Sequence, residues 1–145
     1  MRERRKVCFF LGHRDTPASL YDELIGAAEQ LITAECVYEF VVGHYGNFDR
    51  MAARAVLALK IKHPPVRLIM LLPYHPASGP PLPPGFDGSW YPAEMEGVPL
   101  RVAIPRANRL AIDRATHLIA YVRYPGKARE GVAYARRRDV RIVEL

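Results

Sequence analysis

Cysteine is scarce in this sequence, and long apolar runs are absent from it. Cys8 and Cys36 are too few for a disulfide framework and lack the spacing of metal ligands, so both are expected to be reduced thiols. No stretch approaches the roughly 18 uninterrupted apolar residues that a membrane-spanning helix requires. The basic N-terminal residues lead into a strand-like segment without a signal-peptide core. These absences predict a cytoplasmic protein without a membrane partner.

Motifs that mark common catalytic and cofactor sites are missing as well. The sequence has no Ser-His-Asp or Cys-His order, no Walker lysine motif and no zinc-ligand spacing. Gly12 stands alone after the first predicted strand, where a dinucleotide-binding domain carries three spaced glycines. We therefore expect no metal ion and no cofactor, and these absences leave the type of any reaction open.

Proline, by contrast, is plentiful and clustered. Seven of the 13 prolines fall between Pro73 and Pro92, so residues 73–100 are predicted to form a proline-rich loop. Loops of this length in compact domains are usually either functional or disordered. Phe86, Trp90 and Tyr91 favour packing of this segment against the body of the protein, as a flap over the carboxyl edge of the sheet.

The rest of the composition is that of a globular protein. Of the 145 residues, 50% are hydrophobic and 25% are charged, which predicts a single domain spanning residues 1–145. Short apolar runs alternate with segments that carry apolar residues at helical spacing. Strands are predicted at residues 7–11, 40–42, 66–72, 117–122 and 140–143. Helices are predicted from about residue 17 to 34 and at 47–62, 106–115 and 126–138, while residues 101–104 fit either a short strand or a helix start.

This alternation of strands and helices predicts the fold class. Right-handed crossovers between successive strands give an α/β protein with a parallel sheet and helices on both of its faces. Ligands of such sheets bind at the edge formed by the carboxyl ends of the strands. The turns that follow the strands are therefore the places in which to look for a site.

A strand, a glycine turn and a helix follow one another between residues 38 and 59. Gly43 ends the apolar run and Gly46 turns the chain, Asn47 is a favourable N-cap residue, and Asp49 complements the positive end of the helix dipole. This arrangement brings backbone amides and a helix N-terminus up to an anion. A tight turn without a ligand has the same sequence pattern, so both interpretations stay open.

The other strand ends are predicted to bring further polar residues to the same edge. Glycine recurs after the first and fourth predicted strands, where it lets the backbone approach a phosphate closely. Arg14, Arg106 and Lys127 are placed to neutralise phosphate charge, although each is also compatible with an ordinary surface role. The candidate ligand- and phosphate-binding residues are Gly12, His13, Arg14, Gly43, His44, Gly46, Asn47, Asp49, Arg106, Gly126 and Lys127. His75, Tyr124 and Arg129 are expected at the same edge.

The net charge of +6 makes an acidic partner a reasonable expectation. Arg4, Arg5 and Lys6 precede the first predicted strand, and residues 136–138, all arginine, close the last predicted helix. Both groups are expected at the amino edge of the sheet, opposite the candidate site. A solvated helix end, favoured by the helix dipole, explains the arginine run, and an electrostatic footprint for nucleic acid is the alternative.

Several motifs, in order along the chain, resemble a known family. The segment Cys8–Arg14 is similar to the opening strand and Gly-His-Arg turn of an uncharacterised bacterial and phage branch of the SLOG superfamily. That superfamily includes LOG-type nucleotide phosphoribohydrolases and DNA-processing protein A. The segment Gly43–Asp49, followed by paired alanines, resembles the family's second glycine turn. Motifs within residues 86–104, at Asn108 and at Ile119–Val122 resemble its proline-rich loop and the helix and strand that follow.

The resemblance implies a Rossmann-like fold, a three-layer sandwich with a mainly parallel sheet of about five strands, that binds a nucleotide or nucleotide-derived ligand. It also adds Asn108 to the candidate binding residues. The sequence departs from the family pattern at Ala107, where the family has arginine and this chain offers Arg106 instead, and at Lys127, which replaces a glycine. The Pro-Gly-Gly-x-Gly-Thr signature of the phosphoribohydrolases cannot be mapped onto residues 125–130. LOG-type catalysis is therefore not implied.

Three functional hypotheses result. The first is the binding or sensing of a nucleotide or nucleotide-derived small molecule at the carboxyl edge of the sheet. The second is a nucleotide hydrolase that acts on N-glycosidic or phosphoester bonds, with Asp49 or Glu130 as the base, because the base must reach the water that it activates. The third is a protein associated with single-stranded DNA. Formation of a homo-oligomer is left open, because related folds often self-associate.

Overall fold

Strands and helices alternate along the part of the chain that the structure describes. The structure is a computed structural model that describes residues 5–145. Arg4, which was expected at the amino edge of the sheet, lies outside the described residues. The strands are β1 (Val7–Leu11), β2 (Glu39–Val42), β3 (Arg67–Leu71), β4 (Gly88–Trp90), β5 (His117–Ala120) and β6 (Arg141–Glu144). The α-helices are α1 (Tyr21–Glu35), α2 (Asn47–Lys62), α3 (Ala103–Arg114) and α4 (Lys127–Arg136).

The six strands form one parallel sheet in the order β4-β3-β2-β1-β5-β6. Helices α1 and α2 cover one face, and α3 and α4 cover the other. The prediction of a Rossmann-like, three-layer α/β sandwich is therefore confirmed. From β1 the chain winds outward through β2 and β3, and later in the opposite direction through β5 and β6. The carboxyl ends of β1 and β5 thus form the point at which the winding direction reverses.

The central strand β1 is apolar throughout because both of its faces are buried. All five of its residues are buried, because successive side chains point to opposite faces and each face carries a layer of helices. On one face the Phe10 ring lies 5.9 Å from the Phe40 ring and 6.4 Å from the Phe48 ring, measured between centroids. Phe9 packs into the core on the other face. Both helix layers therefore pack against β1.

Strand β4 corrects the predicted strand count from about five to six. It lies inside the proline-rich segment and pairs with β3, with Ile69 opposite Gly88 and Leu71 opposite Trp90. Its sequence, Gly-Ser-Trp, is short and contains no β-branched residue, so no local pattern predicts a strand there. The exposed edge of β3 orders these residues through backbone pairing.

Asp87 anchors the proline-rich segment to the body of the protein. Its Oδ2 accepts hydrogen bonds from Lys60 Nζ at 2.6 Å and from the Leu68 N–H at 2.8 Å. Burial raises the pKa of Asp87, but the hydrogen bonds from Lys60 and Leu68 outweigh burial and hold the pKa below its ordinary value. Nearby, the Arg114 guanidinium lies 4.6 Å from the centre of the Trp90 ring. The predicted packing of Trp90 against the body is confirmed.

Helix boundaries follow the sequence closely at α2 and less closely at α3. Helix α2 has the predicted bounds, 47–62, whereas α3 begins at Ala103, three residues before its predicted start at 106. Of the undecided residues 101–104, the first two belong to a 3-10 turn, Leu100–Val102, and the last two begin α3. Pro105 lies in the first turn of α3, where the missing N–H of proline leaves no intrahelical bond unmade.

Ion pairs dominate the amino edge of the sheet. The carboxylate of Glu39 is buried at the start of β2, and Arg5, Arg67 and Arg114 approach it to 3.5, 3.8 and 3.5 Å. Three guanidinium groups therefore compensate one buried negative charge. Arg5, which the sequence places in the basic group before β1, is engaged within the protein in this way.

Candidate functional site

A cavity of about 390 Å³ opens at the carboxyl ends of β1, β2 and β5. Its walls come from the turns after these strands, from the end of β3 and from the N-terminal ends of α3 and α4. It lies where the winding direction of the sheet reverses, which is the usual position of ligands in open α/β sheets. We call it the switch-point cavity.

Eight of the twelve candidate binding residues line the switch-point cavity. They are Gly12, His13, Arg14, Gly43, Asp49, Asn108, Gly126 and Lys127. The four that do not line it are His44, Gly46, Asn47 and Arg106. The His44 side chain borders a neighbouring cavity, and Asn47 and Arg106 are exposed elsewhere on the surface. The turns after β1, β2 and β5 thus meet at one place, as the topology requires.

His13 fastens two of these turns together. Its Nε2 accepts a hydrogen bond from the Arg123 N–H at 2.8 Å, so the ring carries its proton on Nδ1 and is neutral. The ring also stacks on Tyr124, with centroids 3.8 Å apart and planes 10° from parallel. Burial lowers the pKa of His13 below its ordinary value; Asp15 opposes this with a smaller rise, and Arg123 adds a still smaller lowering. The imidazole therefore holds the turn after β1 against the turn after β5.

The N-terminus of α2 is directed at the protein's own carbonyl oxygens. The Asn47 N–H donates to the Arg14 oxygen at 2.9 Å, and the Phe48 N–H donates to the His13 oxygen at 3.4 Å. The N-cap is Gly46, so the prediction of Asn47 as the cap is wrong. A Cβ on Gly46 would lie 2.8 Å from the Arg14 Cα. Glycine is needed there because two backbone turns approach each other closely.

Asp49 contributes a carboxylate to the cavity wall. Its Oδ2 accepts a hydrogen bond from the Tyr45 N–H at 3.0 Å, and a Cβ on Gly43 would lie only 2.9 Å from the same oxygen. Burial raises the pKa of Asp49 above its ordinary value, against smaller opposing effects from the Tyr45 amide and nearby cations. A carboxylate in this setting can accept hydrogen bonds from ligand hydroxyl groups. Glu130, the other predicted base, is exposed and does not line the cavity.

Helix α4 begins at the wall of the switch-point cavity. Its N-cap, Gly126, has φ 153° and ψ −161°, a conformation that residues with side chains rarely adopt. Within the described residues, the amides of Lys127, Ala128 and Arg129 have no hydrogen-bond acceptor. The positive end of the α4 dipole is therefore presented at the cavity, with the Lys127 side chain beside it.

A second cavity, of about 710 Å³, lies beneath the proline-rich segment. We call it the flap cavity. Tyr45 and Pro73 line both cavities, so the two adjoin along the carboxyl edge. The sequence did not predict this space, because it depends on how the proline-rich segment packs over β3 and β4. The only available signal was the concentration of tyrosine and proline after the third predicted strand.

A groove on the far side of Tyr124 is rich in arginine. Its wall includes Arg123, Arg129 and Arg136 together with Tyr124, and we call it the arginine groove. Arg136 also pairs with Glu144 at 2.5 Å. Arg136 belongs to the arginine run that the sequence places at the amino edge, yet its side chain reaches a groove shared with the turn after β5.

Two tyrosines belong to the switch-point cavity although the candidate set omitted them. Tyr45 and Tyr124 both line it. The Tyr124 hydroxyl donates to Asp15 at 2.5 Å, and this hydrogen bond is the main reason that the pKa of Tyr124 is raised. Both tyrosines follow a strand within a few residues of a predicted binding residue. That position was the signal available in the sequence.

Two further features are absent from residues 5–145. In that range no group of three or more His, Cys, Asp or Glu side chains is arranged to hold a metal ion. No helix of the described residues combines the length and the apolar character that crossing a bilayer requires.

Together, the fold and the cavity define a Rossmann-like α/β protein with a candidate site at the switch point of a parallel sheet. No family model matches the chain, and no curated protein matches it in sequence. Among solved structures, the chain is similar to DNA processing protein A from Helicobacter pylori, with a TM-score of 0.64 and 16% sequence identity. That structure was described for its single-stranded DNA binding mode. The similarity covers 97% of this chain and 65% of that chain, so this chain spans less than two thirds of its length. At this level of identity the similarity is one of fold.

Proposed function

We propose that the protein binds a nucleotide or nucleotide-derived ligand with a phosphate group in the switch-point cavity. The observation that carries this proposal is the meeting of the first turn of α4 with Arg14 and Lys127 at one cavity. Amides without acceptors at a helix N-terminus and two cationic side chains form a combination that binds phosphate oxygens. The resemblance to the SLOG superfamily supports the same class of ligand.

Asp49 adds a means of recognising the sugar. Its carboxylate lines the same cavity as the basic groups and comes from the first turn of α2. In Rossmann domains an acidic residue that follows the phosphate-binding turn accepts hydrogen bonds from ribose hydroxyls. The same role for Asp49 would place the sugar between the carboxylate and the phosphate.

Calorimetric titration with a panel of nucleotides tests the proposal. At least one nucleotide is expected to bind, and Lys127→Gln is expected to weaken that binding about tenfold, because a hydrogen bond to a charged group contributes roughly 1.5–3 kcal/mol. Arg14→Gln should have an effect of similar size. Lys62→Gln is the matched control, since Lys62 is exposed at the end of α2 and pairs with Glu29. Wild-type affinity in both the Lys127 and Arg14 variants would place the phosphate elsewhere.

The hydrolase hypothesis depends on the same cavity and on Asp49. A carboxylate with a raised pKa at the cavity wall has the chemistry of a general base or acid. Chromatography of the titrated nucleotides for free base and for inorganic phosphate decides the matter. If no nucleotide yields either product, binding or sensing is the function that remains.

Single-stranded DNA is a second candidate ligand, and the arginine groove favours it. Three arginines follow the groove, and Tyr124 stands between it and the switch-point cavity. Basic grooves that track a phosphate backbone, with aromatic rings for stacking, are typical of proteins that bind single strands. The structurally similar protein from Helicobacter pylori has a single-stranded DNA binding mode, which supports the same candidate here.

Fluorescence anisotropy with an oligothymidine at several salt concentrations tests the DNA hypothesis. Binding is expected to weaken with salt, with a slope of roughly −0.7 per phosphate contacted. Arg129→Gln should weaken binding and reduce the slope by about one such contact. Arg138→Gln is the control, because Arg138 pairs with Asp113 and does not line the groove. Binding that is absent, or equal in the two variants, would reject the groove as a path for DNA.

A further inference from the structure

The flap cavity and the switch-point cavity adjoin at the carboxyl edge of the sheet and differ in their linings. Tyr45 and Pro73 are in the wall of both, so the two cavities meet at these residues. The flap cavity is the larger, at about 710 Å³ against about 390 Å³. This size is within the range of roughly 300–1,000 Å³ that is usual for small-molecule sites.

The two ends differ in charge. Among the described residues, the wall of the switch-point cavity contains the charged side chains Arg14, Asp49 and Lys127. The part of the chain that lines the flap cavity contributes no lysine, arginine, aspartate or glutamate. A ligand that fills both spaces must therefore have a charged part and an uncharged part.

The uncharged end is built largely of rings. The Tyr45 and Tyr74 rings meet edge to face with centroids 5.9 Å apart, and the His75 and Tyr91 rings meet with centroids 5.6 Å apart. Met95 is buried behind them and also lines the cavity. Aromatic and thioether groups offer flat, polarisable surfaces, which stack well on planar heterocycles.

The roof of the flap cavity is fixed before any ligand arrives. The hydrogen bonds of Asp87 to Lys60 and Leu68 fasten one end of the roof, and the pairing of β4 with β3 fastens it to the sheet. Proline fixes φ along much of the remainder. A site that is already formed loses little conformational entropy when it binds a ligand.

We propose that the flap cavity binds the base of the nucleotide whose phosphate occupies the switch-point cavity. This inference rests on the proposed function and adds the direction in which the ligand extends, from α4 across Tyr45 toward β3 and β4. The ligand class is a phosphate-bearing sugar that carries a planar aromatic heterocycle. The base stacks on the tyrosines, and the sugar lies beside Asp49.

Calorimetric titration with ribose 5-phosphate and with adenosine and cytidine monophosphates tests the inference. At least one monophosphate is expected to bind about tenfold more tightly than ribose 5-phosphate, because stacking adds to the phosphate contacts. Tyr74→Leu and Tyr91→Leu should bring this ratio close to one while the affinity for ribose 5-phosphate is unchanged. Tyr38→Leu is the control, since Tyr38 is exposed and lines neither cavity.

A second variant guards against loss of structure in the tyrosine variants. Ser78 is exposed and lines the flap cavity, so Ser78→Trp fills the space without disturbing the core. It should lower the same affinity ratio. Equal binding of the three compounds by the wild type, or an unchanged ratio in all three cavity variants, would overturn the inference and leave the proposed function standing. If none of the compounds binds, the proposed function fails together with the inference.

Discussion

At the scale of single residues, the imidazole of His13 links the turns after β1 and β5 through a hydrogen bond and a ring stack. The sequence places it among the candidate ligand contacts, and the structure places it at the cavity wall. Its Nε2, however, already accepts the Arg123 N–H, and one face of its ring is covered by Tyr124. What remains for a ligand is limited to the other parts of the ring. His13 therefore has a clear structural role, whatever it contributes to binding.

The variant His13→Leu tests this role. It keeps an apolar side chain of moderate size but leaves the Arg123 N–H without its acceptor, so we expect the free energy of unfolding to fall by about 1–2 kcal/mol at pH 7.5. Urea denaturation gives the value. His75 provides the control, because its Nδ1 accepts the Ala77 N–H at an exposed site where water can replace it, and His75→Leu should change stability by less than about 0.5 kcal/mol. A loss of equal size in the two variants would contradict the role given to His13.

The same residue gives the protein a pH dependence of known sign. Burial holds the pKa of His13 in the folded protein below the value of about 6.5 in the unfolded chain. Below about pH 6.5 the unfolded chain binds more protons at this position, so the stability from His13 is present above that pH and is lost as the pH falls toward the lowered pKa. Between pH 7.5 and 5.5 the wild type should therefore lose more stability than His13→Leu.

At the scale of elements, α1 ends in an unusual way. Cys36 follows the helix with φ 58° and ψ 40°, the left-handed conformation, and it is the one non-glycine residue with positive φ within residues 5–145. The Val37 N–H reaches back to the Leu31 oxygen at 3.1 Å, which closes the helix end. Glycine is the usual residue at such a position because a Cβ strains the left-handed conformation.

The variant Cys36→Gly should consequently stabilise the protein. Relief of the left-handed strain exceeds the added flexibility of the unfolded chain, and we expect a gain of roughly 0.5–1 kcal/mol in the free energy of unfolding. Thermal denaturation should show a higher midpoint. Cys36→Ser removes the same thiol but keeps the Cβ, so its midpoint should remain near that of the wild type. A lower midpoint for the glycine variant would show that the helix end is not strained.

Elements with a strong local pattern were predictable from the sequence, and elements formed by their neighbours were not. Five successive apolar residues predicted β1, and the apolar spacing of α2 gave its bounds correctly. Strand β4 has no such pattern, since its three residues become a strand only by pairing with β3. The N-cap of α2 was mistaken for a similar reason, because the approach of Gly46 to Arg14 depends on the packing of one turn against another.

At the scale of the whole molecule, the position of the candidate site could be predicted from the topology of the sheet but not from any single local motif. The alternation of strands and helices is enough to bring the turns after β1, β2 and β5 to one edge, and these turns meet at the switch-point cavity. Topology does not reveal the flap cavity, whose roof depends on the fold of the proline-rich segment. Nor does it reveal which helix amides have acceptors. That distinction follows from the hydrogen bonds of Asn47 and Phe48 to the turn after β1.

The hydrogen bonds of Asn47 and Phe48 to the turn after β1 bear on the charge of the ligand that the switch-point cavity would accept. The first amides of α2 donate to the carbonyl oxygens of Arg14 and His13. Within residues 5–145 the first amides of α4 have no such acceptor, so α4 is the helix whose N-terminus is available at the switch-point cavity. Among the described lining residues, Arg14 and Lys127 against an ionised Asp49 give a net charge of +1. With the partial charge of roughly +0.5 at the N-terminus of α4, this approaches the charge needed for a single phosphate group, whereas a triphosphate chain would carry surplus negative charge into the cavity. Under the proposed function, the way α2 is capped therefore favours a ligand with one phosphate group over a nucleoside triphosphate.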